Sequence, residues 1–284
     1  MNPPEGPGRK LPTEEVGLAA EEEGYRIAGL PPAPPPTDPE ERRVLKKLVV
    51  ASLILATSWV AVVVTGQHRS AATVRSAAGS GATAVSLVGD SLAWQADASI
   101  TSALSHAGYR ATVSVDPGHA LSSTWAQGEL QVALQGQSRG VVVVETASND
   151  AAQAAMGTVP VGQYTPLLDD LLDAARGRCV VLVNAKVIVD PMYYPPVDAQ
   201  AVNQAIDTAA ATHSNVRVVD WNQEAAAHAS WFAADSLHLV PGLPSTVSAA
   251  DPPSAAAQTA ADRAFARAVV AGVDSCPGVR ARPR

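Results

Sequence analysis

Three residue types that together perform acyl-transfer chemistry occur in two short segments of the sequence. Ser91 carries a hydroxyl that could act as a nucleophile, and Asp235 and His238 stand three positions apart far along the chain. An imidazole can take the proton of a serine hydroxyl as the hydroxyl attacks an acyl carbonyl, and a carboxylate can hold that imidazole in the required tautomer. The two segments therefore predict a serine nucleophile, a general base and an acidic residue that orients the base.

Two further segments could stabilise the negative charge that develops on the oxygen of an attacked carbonyl. Asn149 offers a side-chain amide donor, and Gly118 lets a substrate approach the backbone closely. Ser91 itself stands where a helix is expected to begin, so helix N–H groups point towards the same charge. Any one of these segments more often forms a plain turn or a helix cap. The prediction therefore depends on all of them lying together.

The elements needed to bring them together can be predicted from residue 82 onwards, where apolar runs alternate with helical patterns. This alternation is typical of a parallel sheet with helices on both faces. Ligands of such sheets bind outside the carboxyl ends of the strands, and each polar segment follows a predicted strand. Strands are predicted at 84–88, 111–115, 141–145, 180–183 and 216–219, and helices at 92–107, 125–135, 165–175, 198–212 and 255–270.

In order and content, the polar segments resemble the four blocks of the GDSL/SGNH hydrolase family. Residues 89–92 read Gly-Asp-Ser-Leu and match the nucleophile block, and residues 235–238 match the Asp-x-x-His block. Asn149 stands where the Gly-x-Asn-Asp block has its amide, although Ala147 replaces the glycine of that block. Gly118 is the best match for the glycine that donates its backbone N–H.

The resemblance spans roughly residues 82–270 and implies both a fold and an activity. The implied fold is a three-layer α/β/α sandwich with a five-stranded parallel sheet, of the flavodoxin-like SGNH type. The implied activity is ester hydrolysis or acyl transfer without a cofactor. The implied site consists of a catalytic triad of Ser91, Asp235 and His238, and an oxyanion hole formed by Gly118, Asn149 and the N–H of Ser91.

The resemblance also suggests a substrate class. Membrane-tethered extracytoplasmic domains of this kind resemble those that add or remove O-acetyl groups on cell-envelope glycans, so an acylated carbohydrate or another small ester is the expected substrate. The alternative is a catalytically silent domain that binds envelope glycan or a protein. The histidines His106, His119, His213 and His228 lack metal-ligand spacing, so no metal is predicted.

The first 81 residues predict a membrane anchor rather than a folded domain. Residues 1–41 are Pro-rich and acidic, which is typical of a disordered tail. Residues 48–66 are uncharged and apolar, long enough for a helix to cross a bilayer. Arg42, Arg43, Lys46 and Lys47 precede them and place the tail in the cytoplasm.

The predicted organisation is therefore a cytoplasmic tail at 1–41, a basic flank and transmembrane helix at 42–66, a linker at 67–81 and an extracytoplasmic catalytic domain at 82–284. A cleaved signal peptide and a buried core helix are the alternatives for the apolar run.

The two cysteines bear on the cellular compartment of the protein, and the net charge bears on its class of binding partner. Cys179 opens the fourth predicted strand and Cys276 follows the last predicted helix, so both are expected at the end of the sheet opposite the site. An even pair outside the cytoplasm predicts a disulfide, and two unpaired buried thiols are the alternative. The net charge of -7 argues against a nucleic-acid partner.

Overall fold

The computed structural model describes residues 82–135, 140–188, 193–244 and 252–279. The predicted tail, transmembrane helix and linker lie outside these residues, so their assignments stay predictions. Within the described ranges, no helix has the length and apolar character required to cross a membrane.

Five parallel strands form a sheet in the order β2-β1-β3-β4-β5. Valine predominates in them, and β-branched side chains suit the packed surface of a sheet. Every predicted strand is confirmed to within one residue. The strands are β1 (Ala84–Gly89), β2 (Arg110–Val115), β3 (Val141–Glu145), β4 (Cys179–Val183) and β5 (Val216–Val219).

The helices of the described residues follow the strands in the predicted alternation. Two short 3-10 turns, Ala229–Trp231 and Ala255–Ala257, interrupt the last connection. The helices are α1 (Ser91–His106), α2 (Thr124–Gln135), α3 (Ala147–Ala155), α4 (Val161–Ala174), α5 (Pro196–Thr212), α6 (Trp221–Ala226) and α7 (Ala260–Asp274).

Two apolar clusters, one on each face of the sheet, make the three layers. Leu87 points into the cluster that α1, α6 and α7 share, whereas its neighbour Val88 points into the cluster formed with α2 to α5. At Gly272 of α7, a Cβ would lie 2.6 Å from a methyl of Val219 and 2.8 Å from one of Val181. Glycine at this position lets α7 lie directly on the sheet. The predicted three-layer α/β/α architecture is thereby confirmed for the described residues.

Two short helices, α3 and α6, are absent from the sequence prediction. The sequence interpretation placed no helix between residues 145 and 165, but five of the nine residues of α3 are alanine, which has the highest helix propensity. Helix α6 has only six residues, and Asp220 caps it by accepting a hydrogen bond from the N–H of Gln223. Helices this short leave little periodicity for a sequence pattern to reveal.

Two helix starts were predicted wrongly. Helix α7 begins at Ala260 and not at 255, because Thr259 and Asp262 form a capping box that fixes the first turn there. Helix α4 begins at Val161, four residues before the predicted start. It continues through the exposed Pro166, where water can solvate the carbonyl that loses its N–H partner.

Cys179 and Cys276 form a disulfide, which confirms the predicted pairing. Cys179 is the first residue of β4, and Cys276 lies two residues beyond the end of α7. The bridge therefore joins α7 to the amino edge of the sheet, opposite the carboxyl edge where the polar segments lie.

Candidate active site

The turn between β1 and α1 presents Ser91 at the first position of a helix. Asp90 caps this helix by accepting a hydrogen bond from the Leu92 N–H at 3.0 Å. A Cβ on Gly89 would lie 2.5 Å from the Cβ of Ala93, so the turn is too tight for any other residue. The Ser91 hydroxyl therefore projects from a rigid turn at the carboxyl edge of β1.

The Asp-x-x-His segment is held in a small folded loop between two strand-like residues. Phe232 and Leu239 form an antiparallel bridge at its base, and the Ala233 N–H donates to the His238 carbonyl at 2.8 Å. Ser236 takes a positive φ of 58° at the tip of this loop. The tight reversal brings the side chains of Asp235 and His238 to the same side.

A continuous chain of hydrogen bonds joins the three predicted triad residues. The Ser91 hydroxyl lies 3.0 Å from Nε2 of His238, and Nδ1 of His238 lies 2.8 Å from Oδ2 of Asp235. A neutral imidazole that donates from Nδ1 to the carboxylate accepts at Nε2, which suits removal of the Ser91 proton. The structure thus brings together residues separated by 147 positions.

The Asp235 carboxylate remains ionised in this chain. Burial alone would raise its pKa, but the His238 side chain and the backbone N–H groups of Leu237 and His238 outweigh burial and lower the pKa of Asp235 to about 2. Each of the two N–H groups lies 3.0 Å from Oδ1. A permanently ionised carboxylate can stabilise the imidazolium that forms when His238 accepts a proton.

Two side chains beyond the predicted set hold the same loop. The Tyr193 hydroxyl donates to Oδ2 of Asp235 at 3.4 Å, and its ring meets the His238 ring edge-on at 5.7 Å. The Lys186 ammonium donates to the Ser236 carbonyl and lies 4.3 Å from the Phe232 ring centre. Tyr193 thus packs against the loop that carries Asp235 and His238.

Of the predicted oxyanion residues, Asn149 lies beside the nucleophile turn, whereas Gly118 is exposed. The Asn149 amide donates to Oδ2 of Asp90 at 2.7 Å, so it lies beside the nucleophile turn. Strands β1 and β3, which precede Ser91 and Asn149, lie where the strand order changes direction, the usual ligand crevice of such sheets. Gly118 lies exposed in the turn after β2 with a φ of 87°. Its oxyanion role and that of Asn149 stay predictions.

Two buried polar residues of the site were missed by the sequence interpretation. Gln95, one turn after Ser91, accepts from the Leu239 N–H at 3.0 Å and donates to the Leu239 carbonyl at 2.9 Å. Glu145 ends β3 and accepts hydrogen bonds from the turn that carries Ser91. Each had a sequence signal, namely a polar residue on a face or strand that is otherwise apolar.

Acidic and histidine side chains outside the Asp235–His238 pair, such as Asp116 and His119, make other contacts. In the part of the chain that the structure describes, no group of three or more His, Cys, Asp or Glu side chains could hold a metal ion. His119 instead pairs with Asp116 at 3.0 Å and stacks on Trp125 with ring centres 4.9 Å apart.

Comparisons with known proteins find short stretches of similar sequence. No protein-family model matches the chain. A candidate O-acetyltransferase of Staphylococcus aureus strain MSSA476 is 34% identical over 93 residues, which are 32% of this chain and 14% of that protein. A candidate peptidoglycan O-acetyltransferase of Bacillus subtilis strain 168 is 33% identical over 82 residues, 29% of this chain and 12% of that protein. The matches thus cover about a seventh of these relatives.

Solved structures are similar to this chain at low sequence identity. A lipase/acylhydrolase from Enterococcus faecalis is 13% identical, with a TM-score of 0.52, over 71% of this chain and all of that one. The C-terminal catalytic domain of the Streptococcus pneumoniae peptidoglycan O-acetyltransferase A is 17% identical, with a TM-score of 0.49, over 71% and 99% of the two chains. The described domain has the fold of the SGNH/GDSL hydrolases.

Proposed function

We propose that the domain is a serine esterase or O-acyltransferase that acts on O-acetyl groups of cell-envelope glycans through an acyl-enzyme. The observation that carries the proposal is the hydrogen-bonded chain from Ser91 through His238 to Asp235, with distances of 3.0 and 2.8 Å. A nucleophile, a base within its reach and a third group that orients the base are the geometric signature of nucleophilic acyl transfer.

The reaction follows from the positions of these groups. Ser91 Oγ attacks the acyl carbonyl carbon while His238 Nε2 takes its proton, which gives a tetrahedral intermediate. The N–H of Ser91, the second N–H of the Asn149 amide and the N–H of Gly118 stabilise the oxyanion. The intermediate collapses as His238 protonates the departing alcohol. The acyl group on Ser91 then passes to water in hydrolysis, or to a sugar hydroxyl in transfer, as His238 removes the acceptor proton. The bond between the acyl carbon and Ser91 Oγ breaks, and His238 returns the proton to Oγ.

The substrate class and the location are supported from three directions. The relatives in Staphylococcus aureus and Bacillus subtilis carry O-acetyltransferase names, and the Bacillus name specifies peptidoglycan. The Cys179–Cys276 disulfide suits an oxidising, extracytoplasmic compartment. The apolar run at 48–66 with its basic flank supports a single-pass membrane anchor with a cytoplasmic tail, and residues 67–81 would then link it to the catalytic domain.

Labelling by a fluorophosphonate probe tests the proposal. Such a probe reacts with serines activated by a neighbouring base, so we expect the full-length protein to be labelled and the Ser91→Ala variant to remain unlabelled. Ser230→Ala, which changes an exposed serine outside the triad, is the matched control. Absence of labelling in a folded wild-type protein would refute the enzymatic proposal and favour a catalytically silent glycan- or protein-binding domain.

A second assay separates hydrolysis from transfer. The full-length protein is incubated with an acetyl ester and an envelope oligosaccharide, and mass spectrometry follows the acetyl group. Acetate alone identifies an esterase, whereas an oligosaccharide that gains acetyl groups identifies an acyltransferase.

A further inference from the structure

Glu145 lies directly beneath the nucleophile turn and is almost completely buried, with 2% of its surface exposed. Its Oε2 accepts hydrogen bonds from the backbone N–H of Ala93 at 3.2 Å and of Asp90 at 3.1 Å. The Asp90 N–H also donates to the backbone carbonyl of Glu145 at 2.9 Å. Asp90 and Ala93 flank Ser91 and Leu92 in the chain. One carboxyl oxygen on the neighbouring strand therefore ties down both sides of the residue that is the proposed nucleophile.

The Glu145 carboxyl group also shares a hydrogen bond with the side chain of Asp90. Burial, the charge of Asp90 and this hydrogen bond raise the pKa of Glu145 well above its ordinary value. Burial raises the pKa of Asp90 as well, and hydrogen bonds with Leu92, Glu145 and Asn149 offset this rise only in part. The raised pKa of Glu145 favours its protonated form, and a protonated Glu145 avoids two adjacent charges in a buried site.

Asp90 connects Glu145 to Asn149, the predicted oxyanion donor. Its Oδ1 accepts from the Leu92 N–H at 3.0 Å, and its Oδ2 accepts from the Asn149 amide at 2.7 Å. An amide nitrogen carries two N–H groups, so the bond to Asp90 fixes one and aims the other. The orientation of Asn149 thus depends on Asp90, whose own position depends on Glu145.

We infer that Glu145 is a positioning residue for the acyl-transfer reaction, because its contacts fix the turn that carries Ser91 and, through Asp90, the direction of the Asn149 amide. The inference rests on the proposed function. It assigns Glu145 no contact with substrate. Glu145 should stabilise the transition state, in which the nucleophile and the oxyanion donor must both be in place. It should not affect the initial binding of the ester.

Two substitutions of similar size test the inference in the full-length chain. Glu145→Gln keeps one oxygen for the two backbone N–H groups and one N–H donor for Asp90, so it mimics the protonated acid. Glu145→Met fills the same space but offers neither group.

Three measurements compare the variants. Hydrolysis of p-nitrophenyl acetate gives kcat and KM, the rate of fluorophosphonate labelling reports on Ser91, and thermal melting shows whether each variant is folded. Glu224→Met, at an exposed position of α6, is the matched control.

We expect Glu145→Gln to keep kcat within about threefold of the wild-type value, and Glu145→Met to lose on the order of 10²-fold in kcat, with a similar loss in labelling rate and little change in KM. Displacing reacting groups by about 1 Å can cost this much. Glu224→Met should behave like the wild type. A folded Glu145→Met with wild-type kcat, a rise in KM alone, or an equal loss in Glu145→Gln would overturn the inference.

Glu145→Asp covers the case in which Glu145→Met does not fold. Its carboxyl group is withdrawn by one methylene from both N–H groups, so kcat should again fall at similar KM, and wild-type kcat in this variant would also overturn the inference. A wild-type protein that is neither labelled nor active would overturn the proposed function, and the inference with it. An active wild type with unaffected Glu145 variants would overturn the inference alone.

Discussion

Replacing Gln95 by leucine should both destabilise the domain and slow the reaction. The Gln95 side chain is 4% exposed and makes paired hydrogen bonds to the N–H and the carbonyl of Leu239, at 3.0 and 2.9 Å. Leu239 is fully buried and follows His238 directly. Gln95 therefore ties the segment that carries the proposed base to the helix that begins with the proposed nucleophile.

The size of the effect follows from the two backbone groups that would lose their partners. A buried donor or acceptor left without a hydrogen bond costs about 1–3 kcal/mol, so Gln95→Leu should lower the free energy of unfolding by about 2–6 kcal/mol. Activity should fall as well, because the imidazole of His238 would no longer be held at its 3.0 Å distance from Ser91. We expect kcat to drop by on the order of 10-fold or more.

Urea denaturation followed by tryptophan fluorescence measures the stability change, and labelling by the fluorophosphonate probe measures the reactivity of Ser91. Gln204→Leu makes the same substitution at an exposed position of α5 and should change neither quantity. An unfolding free energy and a labelling rate for Gln95→Leu that both match the wild type would refute the reasoning.

Two further predictions concern the disulfide and a buried acid. Replacing Cys179 and Cys276 by alanine should lower the free energy of unfolding by about 2–5 kcal/mol, since the bridge closes a loop of 97 residues, without changing kcat where the protein is folded; denaturation curves and kinetics check both. Burial raises the pKa of Asp150 to about 7, above its unfolded value of 3.8, so wild-type stability should fall as pH rises from about 4 to 7. In Asp150→Asn, the free energy of unfolding should fall by up to about 4 kcal/mol less than in the wild type over this pH range. The same pH dependence of the unfolding free energy in both proteins would contradict this prediction.

The sequence predicts the sheet well because its strands are rich in valine, and β3 and β4 are nearly continuous buried apolar runs. Such runs identify parallel strands covered on both faces, and β3 and β5 have the predicted bounds. Helix ends are predicted less well, because they depend on caps. The Thr259–Asp262 capping box was visible in the sequence, but the alanine-rich residues before it extend the helical pattern and conceal the true start.

In the site, too, some residues can be predicted from short motifs, whereas others can be recognised only from the folded structure. Ser91, Asp235 and His238 could be proposed from their types, because nucleophile chemistry needs those groups, and the structure brings them within hydrogen-bonding distance. Gln95 and Glu145 bind backbone groups of residues that lie 144 and 52–55 positions away in the chain. No local pattern encodes such partners, since they exist only once the strands and helices have packed.

The entry of the chain into the sheet has a practical consequence for handling the protein. Strand β1 begins at Ala84 on the edge that carries the disulfide, and it ends at Gly89, beside Ser91. Six residues of strand span about 20 Å. An affinity tag or a bead linkage placed shortly before residue 82 therefore joins the domain at the far side from Ser91. Immobilised preparations should then leave the edge of the sheet that carries Ser91 open to large polymeric substrates.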